Sequence, residues 1–172
     1  MANVTVTLTG ENGPIDNATV QITFNGKTYK AKTGSNGKVT ISVSGSVLPK
    51  SYTCTVKFAG DNTSLASSGK FKITVKKATP KIVASKKTYK VSTKVKKYTV
   101  TLKNHKNKPI KKTKVSLKVN GKTYKVVTNT KGQAIFKITN LKKSAKFIAL
   151  IKYAGNKYYN AVSKKVILTV KR

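Results

Sequence analysis

The chain has 172 residues and a formal net charge of +34, from 37 Lys and Arg against 3 Asp and Glu. This length fits two small domains of roughly 75 to 95 residues, each able to bury a modest core. No apolar run approaches the roughly 20 residues of a membrane-spanning helix, and the first residues do not read as a signal peptide. We therefore expect no membrane insertion.

Alternation of apolar and polar residues predicts short β-strands from the start of the chain. Val4, Val6 and Leu8 alternate with threonines and predict the first strand. The same period predicts further strands at residues 18–24, 27–32, 39–43, 52–58 and 71–75. Turn signals recur about every ten residues and no helical period is seen, so the pattern predicts an all-β sandwich.

A hairpin signal occurs twice and divides the chain. The run Asn25-Gly26-Lys27-Thr28-Tyr29-Lys30 recurs unchanged 95 positions later, beginning at Asn120. Asn-Gly favours a two-residue type I′ turn because both residues tolerate positive φ. The same offset relates the two halves from Pro14 to the C-terminus. We therefore predict two tandem sandwich domains at residues 1–77 and 78–172, arranged end to end.

The second repeat begins with a leader that the first repeat lacks. Residues 78–97 precede the strand that contains Tyr98, and Pro80 is expected to make the connection between the repeats stiff. Strands are predicted around Ile82 and Tyr89, and then at residues 114–119, 122–128, 133–139, 146–153 and 164–171. The second domain should hold seven or eight strands, and we interpret the chain as an excerpt of a longer array.

The positive charge is concentrated in the second repeat. Residues 1–77 carry ten Lys and all three acids, whereas residues 78–172 carry 27 basic residues and no acid. Lys attracts anions diffusely and lacks the two-pronged geometry of Arg. One interpretation is a solvated face that keeps the protein soluble. The other is adhesion to a polyanion through Lys86, Lys87, Lys94, Lys96, Lys97, Lys111, Lys112, Lys142, Lys143, Lys157, Lys164 and Lys165.

The residues needed for catalysis or metal binding are scarce. His105 is the only histidine, it lies in a predicted turn, and the second repeat has no acid to orient it. Glu11, Asp16 and Asp61 are too scattered to form a metal site or to support a Lys-Asn cross-link. Cys54 is predicted to be a buried core residue. We expect no enzyme activity, cofactor, metal or isopeptide bond.

Several motifs resemble one family of repeats. They are Gly13-Pro14-Ile15 and Lys108-Pro109-Ile110, the Asn-Gly-Lys-Thr-Tyr hairpins, the turns at residues 33–37 and 128–132, Phe58-Ala59-Gly60-Asp61 and Tyr153-Ala154-Gly155-Asn156. Together they resemble the bacterial immunoglobulin-like (Big-type) repeat domains of prokaryotic surface proteins. The Lys-rich second repeat is most similar to repeats of adhesin-like proteins of methanogenic archaea. The resemblance implies a non-enzymatic, extracellular adhesin module that serves as a stalk, spacer or binding surface.

The family pattern places an aromatic residue shortly after the Gly-Asp or Gly-Asn pair. Tyr159 fits this pattern in the second repeat, whereas Ser64 stands there in the first and Leu65 is the candidate substitute.

The alternative function is a basic nucleic-acid-binding protein. Single-strand binders display aromatics on an exposed platform, but Tyr29, Tyr52, Tyr124 and Tyr153 have inward parity and leave only Tyr158 and Tyr159 for stacking. The preferred partner is therefore an anionic glycan, a wall polymer or a host cell surface, with nucleic acid bound only non-specifically. The isolated chain is expected to be a monomer.

Overall fold

The computed structural model describes residues 2–43 and 47–172. The chain divides into two compact units, Met1–Lys76 and Lys77–Arg172. The described residues form strands and turns without a helix, so the predicted all-β class is confirmed.

The first unit has two main sheets. Its strands are β1 (Ala2–Thr7), β2 (Thr9–Gly10), β3 (Gly13–Pro14), β4 (Thr19–Phe24), β5 (Lys27–Lys32), β6 (Lys38–Val43), β7 (Ser51–Phe58) and β8 (Ser67–Thr74). One sheet has the order β5-β4-β7-β8, and β1 pairs antiparallel with β6 in the other. The short strands β2 and β3 pair with each other in the turn that follows β1.

The second unit has eight strands in two sheets. They are β9 (Lys81–Val83), β10 (Lys87–Lys90), β11 (Lys96–Lys103), β12 (Lys114–Val119), β13 (Lys122–Val127), β14 (Gln133–Ile138), β15 (Ala145–Tyr153) and β16 (Val162–Lys171). The sheet orders are β10-β16-β15-β12-β13 and β14-β11-β9. The predicted leader therefore forms two strands, and it crosses from one sheet to the other between β9 and β10.

The repeated hairpins have the predicted turn. In the first unit Asn25 and Gly26 have φ of 49° and 74°, and in the second Asn120 and Gly121 have φ of 47° and 76°. Positive φ at both central residues is the mark of the type I′ turn, whose twist matches that of the flanking strands. The turn sets the register, because each pair is flanked by directly opposed residues. Local sequence chemistry thus fixes which faces of these strands point inward.

Alternate strand residues of the second unit form its core. Phe136, Leu117 and Ile151 are fully buried, and the core also contains the leader residues Ile82 and Tyr89. The first unit has an equivalent core around Ile22 and Phe24. Cys54 is buried in this core, as predicted. The other buried core residues are Val20, Val39, Ile41, Val43 and Tyr52. Both sheets of each unit supply side chains to a shared interior, which is the arrangement of a β-sandwich.

A buried threonine ties the same turn together in both units. The Thr128 hydroxyl donates to the Ile110 carbonyl at 2.8 Å and accepts from the Thr113 N–H at 3.1 Å. Thr33 makes the matching bonds to Ile15 and Ala18 in the first unit. Both threonines are almost fully buried. The hydroxyl therefore satisfies two backbone groups that water does not reach.

Replacing Thr128 by Val is expected to destabilise the second unit by about 1–3 kcal/mol. The new methyl group keeps the shape but leaves the Ile110 carbonyl and the Thr113 N–H without a partner. Urea unfolding of the full chain, followed by amide exchange in each unit, measures the change. Thr130→Val is the control, since Thr130 lies in the same turn and is exposed. Equal losses for the two variants would contradict the assigned role of the hydroxyl.

Candidate polyanion-binding surface

Eleven of the twelve lysines predicted to bind polyanions have exposed side chains. Lys87 lies in β10, Lys97 in β11, and Lys164 and Lys165 in β16; the others, Lys86, Lys94, Lys111, Lys112, Lys142, Lys143 and Lys157, lie in the connections. Exposure lets these side chains meet an anion at the surface, where the desolvation cost is far smaller than in the interior.

Lys96 is the exception and has to be removed from the predicted set. Its side chain is only 2% exposed, and Nζ donates to the Thr93 carbonyl at 2.6 Å. The residue has the same inward parity as Tyr98 and Val100, so β11 carries it toward the interior. A turn carbonyl holds the charge in place of an anion. Lys96 is therefore a structural residue of the unit.

The leader is held by hydrogen bonds around two buried tyrosines. The Tyr89 hydroxyl donates to the Lys97 carbonyl at 2.8 Å, and the Tyr98 hydroxyl donates to the Ser85 carbonyl at 2.7 Å. Burial raises the pKa of both phenols, so they remain neutral donors. Lys87 Nζ also donates to the Lys97 carbonyl and lies 5.2 Å from the centre of the Tyr89 ring. Lys87 is thus fixed in place although it is exposed.

Six of the predicted lysines lie at opposite ends of the second unit. One end of the unit contains the start of β11 and the end of β14, because Lys96 pairs with Ile138. Lys94 lies in the connection before β11, and Lys142 and Lys143 lie in the connection after β14. We call these three lysines the Lys142 end. The other end, where β15 finishes and β12 begins, holds Lys111, Lys112 and Lys157 and is called the Lys111 end. The structure therefore does not gather the predicted lysines into one patch.

A further group of lysines, absent from the predicted set, lies on the outer face of the five-stranded sheet. Ser116 is directly opposite Lys125 on one side and Lys152 on the other. A groove of 550 Å³ is lined by these residues and Lys114. One step along the sheet, Lys118 and the predicted Lys165 both pair with Leu150. We call Lys118, Lys125, Lys152 and Lys165 the outer sheet face.

The sequence signal for this group is the alternation of apolar and polar residues along each strand. It places Lys118 and Lys152 outward, but it does not tell which strands are neighbours. The order β15-β12-β13 brings Lys125 and Lys152 together although they are far apart in sequence. Strand order had to be known before these residues could be assigned to one site.

Two pairs of lysines are directly opposed on the three-stranded sheet. Lys97 pairs with Lys137, and Lys103 pairs with Lys81. Like charges in directly opposed positions repel by a few tenths of a kcal/mol or more. Residues 78–172 contain no Asp or Glu to offset this repulsion. This sheet therefore carries unbalanced positive charge at its surface.

The aromatic side chains of the described residues do not form an open platform. Tyr52 and Tyr153 are buried, whereas Tyr29 and Tyr124 are only partly buried. Tyr159, predicted to be available for stacking, is partly buried and packs against the core of the second unit. Tyr158 is 36% exposed, with Lys157 Nζ at 5.2 Å from its ring centre. Of the two tyrosines predicted to be free, only Tyr158 presents its ring to solvent.

The loop of the first unit that corresponds to the Tyr159 loop lacks the aromatic anchor. The two loops share a backbone hydrogen bond. The Asp61 N–H donates to the Ser64 carbonyl, and the Asn156 N–H donates to the Tyr159 carbonyl. Leu65, the candidate substitute, is 93% exposed and therefore does not take the place of Tyr159. The prediction for Leu65 was wrong, because the turn points this side chain into solvent.

The chemically reactive residues are dispersed. The described residues contain no cluster of three or more His, Cys, Asp or Glu side chains. The Asp61 carboxylate accepts from the N–H and hydroxyl of Thr63, and these bonds lower its pKa. Burial raises the pKa of the Cys54 thiol, which keeps it protonated and unreactive. Within the described part of the chain, no helix has the length and apolar character needed to cross a bilayer.

The topology and core define a protein of immunoglobulin-like β-sandwich units. No protein-family model matches the chain, and neither does any curated protein. The chain is similar to the solved structure of invasin, a bacterial integrin-binding protein, with a TM-score of 0.53 and 17% identity over 98% of this chain. It spans 36% of the invasin chain.

A second solved structure gives the same fold. Domains A168–A170 of titin match with a TM-score of 0.52 and 15% identity, over 98% of this chain and 60% of the titin chain. A tetra-tandem repeat from the extending region of a large adhesion protein matches with a TM-score of 0.45 and 15% identity, over 92% of this chain and 43% of that one. The predicted immunoglobulin-like fold is confirmed.

Proposed function

We propose that this chain is a non-enzymatic repeat module of an extracellular, cell-surface adhesin. Its units act as a stalk or spacer, and the Lys-rich second unit adheres electrostatically to a polyanion such as an anionic glycan, a wall polymer or a host cell coat. The observation that carries the proposal is the charge of residues 78–172, which hold 27 basic residues and no acid on an immunoglobulin-like scaffold.

The distribution of the lysines supports diffuse adhesion. They occupy the Lys142 end, the Lys111 end and the outer sheet face, so a flexible polyanion meets cations from several directions. No carboxylate of this unit competes for them. Such a field raises the local concentration of any polyanion and depends little on its sequence or stereochemistry.

The stalk role is supported by the repeat and by the structural similarities. Tandem sandwich units are self-contained, each with its own core. Invasin, whose structure is similar, is an integrin-binding surface protein. We extend from invasin only the general role of a surface repeat. The proposed relation to archaeal adhesin repeats depends on the sequence motifs alone.

Nucleic-acid binding is the second candidate, favoured by the net charge of +34. Stacking of bases on aromatic rings contributes much of single-strand affinity, and Tyr158 is the only tyrosine of its loop with an exposed ring. The described residues also offer no helix to enter a groove. We therefore assign nucleic acid to the same non-specific class as other polyanions.

Diffuse adhesion predicts equal losses from removing charge at different places. Three triple variants of the full chain remove the Lys142 end (K94Q, K142Q, K143Q), the Lys111 end (K111Q, K112Q, K157Q) or most of the outer sheet face (K118Q, K125Q, K152Q). Each is expected to weaken heparin binding by about three- to tenfold at 0.15 M salt, since each removes a similar share of the field. Binding is measured by titration calorimetry.

The matched control is K27Q, K30Q, K32Q in the first unit, where three exposed lysines lie on or beside one strand. This variant is expected to change the affinity less than twofold. A loss above a hundredfold for one triple variant alone would contradict diffuse adhesion and define a localised site. An equal loss of heparin affinity in the control would show that the second unit contributes no more to binding than the first.

A further inference from the structure

Two strand edges that are paired in the second unit are open in the first unit. Among the described residues, β1 pairs only with β6, and β8 pairs only with β7. The corresponding strands of the second unit, β11 and β16, pair in addition with β9 and β10. An open edge presents unpaired N–H and C=O groups, which are a template for another strand.

Core side chains beside these edges are incompletely covered in the first unit. Leu8, Ile73 and Val75 are partly buried, whereas their repeat partners Leu102, Leu168 and Val170 are at most 1% exposed. The edges border a groove of 420 Å³, whose lining includes Val6, Leu8, Val56 and Phe71. The groove is therefore a part of the apolar core that no additional strand covers.

The second unit shows what fills this position. Ile82 and Tyr89 of the leader point into the core, with Ile82 opposite Leu102 and Tyr89 opposite Val170. The repeat relation transfers these contacts to Leu8 and Val75 in the first unit. The strand that fits has apolar residues at the positions of Ile82, Ala84, Tyr89 and Val91, and it pairs antiparallel with β1 and parallel with β8.

We propose that the first unit is an acceptor for an extended β-strand with the leader's alternating pattern of apolar residues. Main-chain bonds to the open edges provide affinity, and the alternate apolar side chains provide register, as in other strand-addition interfaces. The second unit holds its own leader through the hydroxyls of Tyr89 and Tyr98. Residues 78–95 of the same molecule are therefore not free to fill the first unit, and the occupant is a separate segment that carries the same pattern.

The test uses the full chain and a synthetic peptide of residues 78–95. We expect saturable one-to-one binding at about 0.5 M salt, where the Debye length is only a few Å and charge effects are small. Hydrogen exchange should slow along β1 and β8 of the first unit. A control peptide with Ile82→Ser and Tyr89→Ser has the same charge and should bind at least tenfold more weakly, because it lacks two apolar anchors.

Two variants of the chain locate the acceptor. Val6→Lys places a charge in the groove and should weaken peptide binding at least tenfold, whereas Asn3→Lys, on the exposed face of β1 and outside the groove lining, should not. Slowed exchange at β1 and β8 in the unaltered chain remains decisive if Val6→Lys disturbs folding. This proposal does not depend on polyanion adhesion, and the two can fail separately.

Four results would overturn it. They are the absence of saturable binding, equal binding by the two peptides, slowed exchange only in the second unit through replacement of its own leader, and a dimer of the chain whose interface already protects β1 and β8.

Discussion

Raising the salt concentration from about 50 to 200 mM is expected to weaken the binding of duplex DNA by the full chain about a thousandfold. The expectation follows from counterion release, in which about six neutralised phosphates give a loss of this order over this range. The outer sheet face and either end of the second unit together supply that number of exposed lysines. Titrations at four or five salt concentrations give the slope directly.

Heparin and an anionic wall polymer should show slopes of the same sign and similar size. The reason is that Lys ammonium groups act as point charges and impose little geometry on the partner. The triple variant of the outer sheet face should lower the slope by up to about three, since each lost phosphate contact lowers it by about one. A single polymer that stays tightly bound at about 0.5 M salt would show a specific site and refute diffuse adhesion.

Much of the fold could be predicted because its determinants are local. Asn25-Gly26 and Asn120-Gly121 specify their turns through their own backbone preferences. Alternating residues such as Val115 and Leu117 specify which face of a strand is buried. The predicted strands agree with the observed ones to within a few residues, with the largest difference at β8, which begins at Ser67.

The leader could only partly be predicted. Two strands were expected around Ile82 and Tyr89, but their assignment to different sheets depends on residues 84–86, where the chain crosses over. Short segments of three or four residues carry too little periodicity to reveal such a crossing. The hydrogen bonds of Tyr89 and Tyr98 that hold it join residues from separate elements.

The binding surface was the least predictable part. Charge alone identified the second unit, yet it could not distinguish an exposed Lys94 from a buried Lys96. Extending the alternation of Tyr98 and Val100 by one step would have placed Lys96 inside. For Lys125 and Lys152 no such local rule exists, because their proximity follows from strand order.

Leu102→Ala is expected to destabilise the second unit by about 3–4 kcal/mol, and Leu8→Ala the first unit by only about 1–2 kcal/mol. The two leucines are repeat partners with the same backbone surroundings, since their N–H groups donate to the Gly132 and Gly37 carbonyls at 2.8 Å. Leu102 is fully buried beside its cross-strand neighbour Ile82, whereas Leu8 is partly exposed. Truncation leaves a sealed cavity in one case and widens an open groove in the other.

Urea unfolding of the full chain, with amide exchange followed separately in each unit, measures both losses in one molecule. Adding the peptide of residues 78–95 should raise the cost of Leu8→Ala toward that of Leu102→Ala, because the bound strand would seal the groove. Equal costs without the peptide would mean that Leu8 is already covered in solution. The groove beside β1 would then already be closed in solution, and the acceptor role would lose its basis.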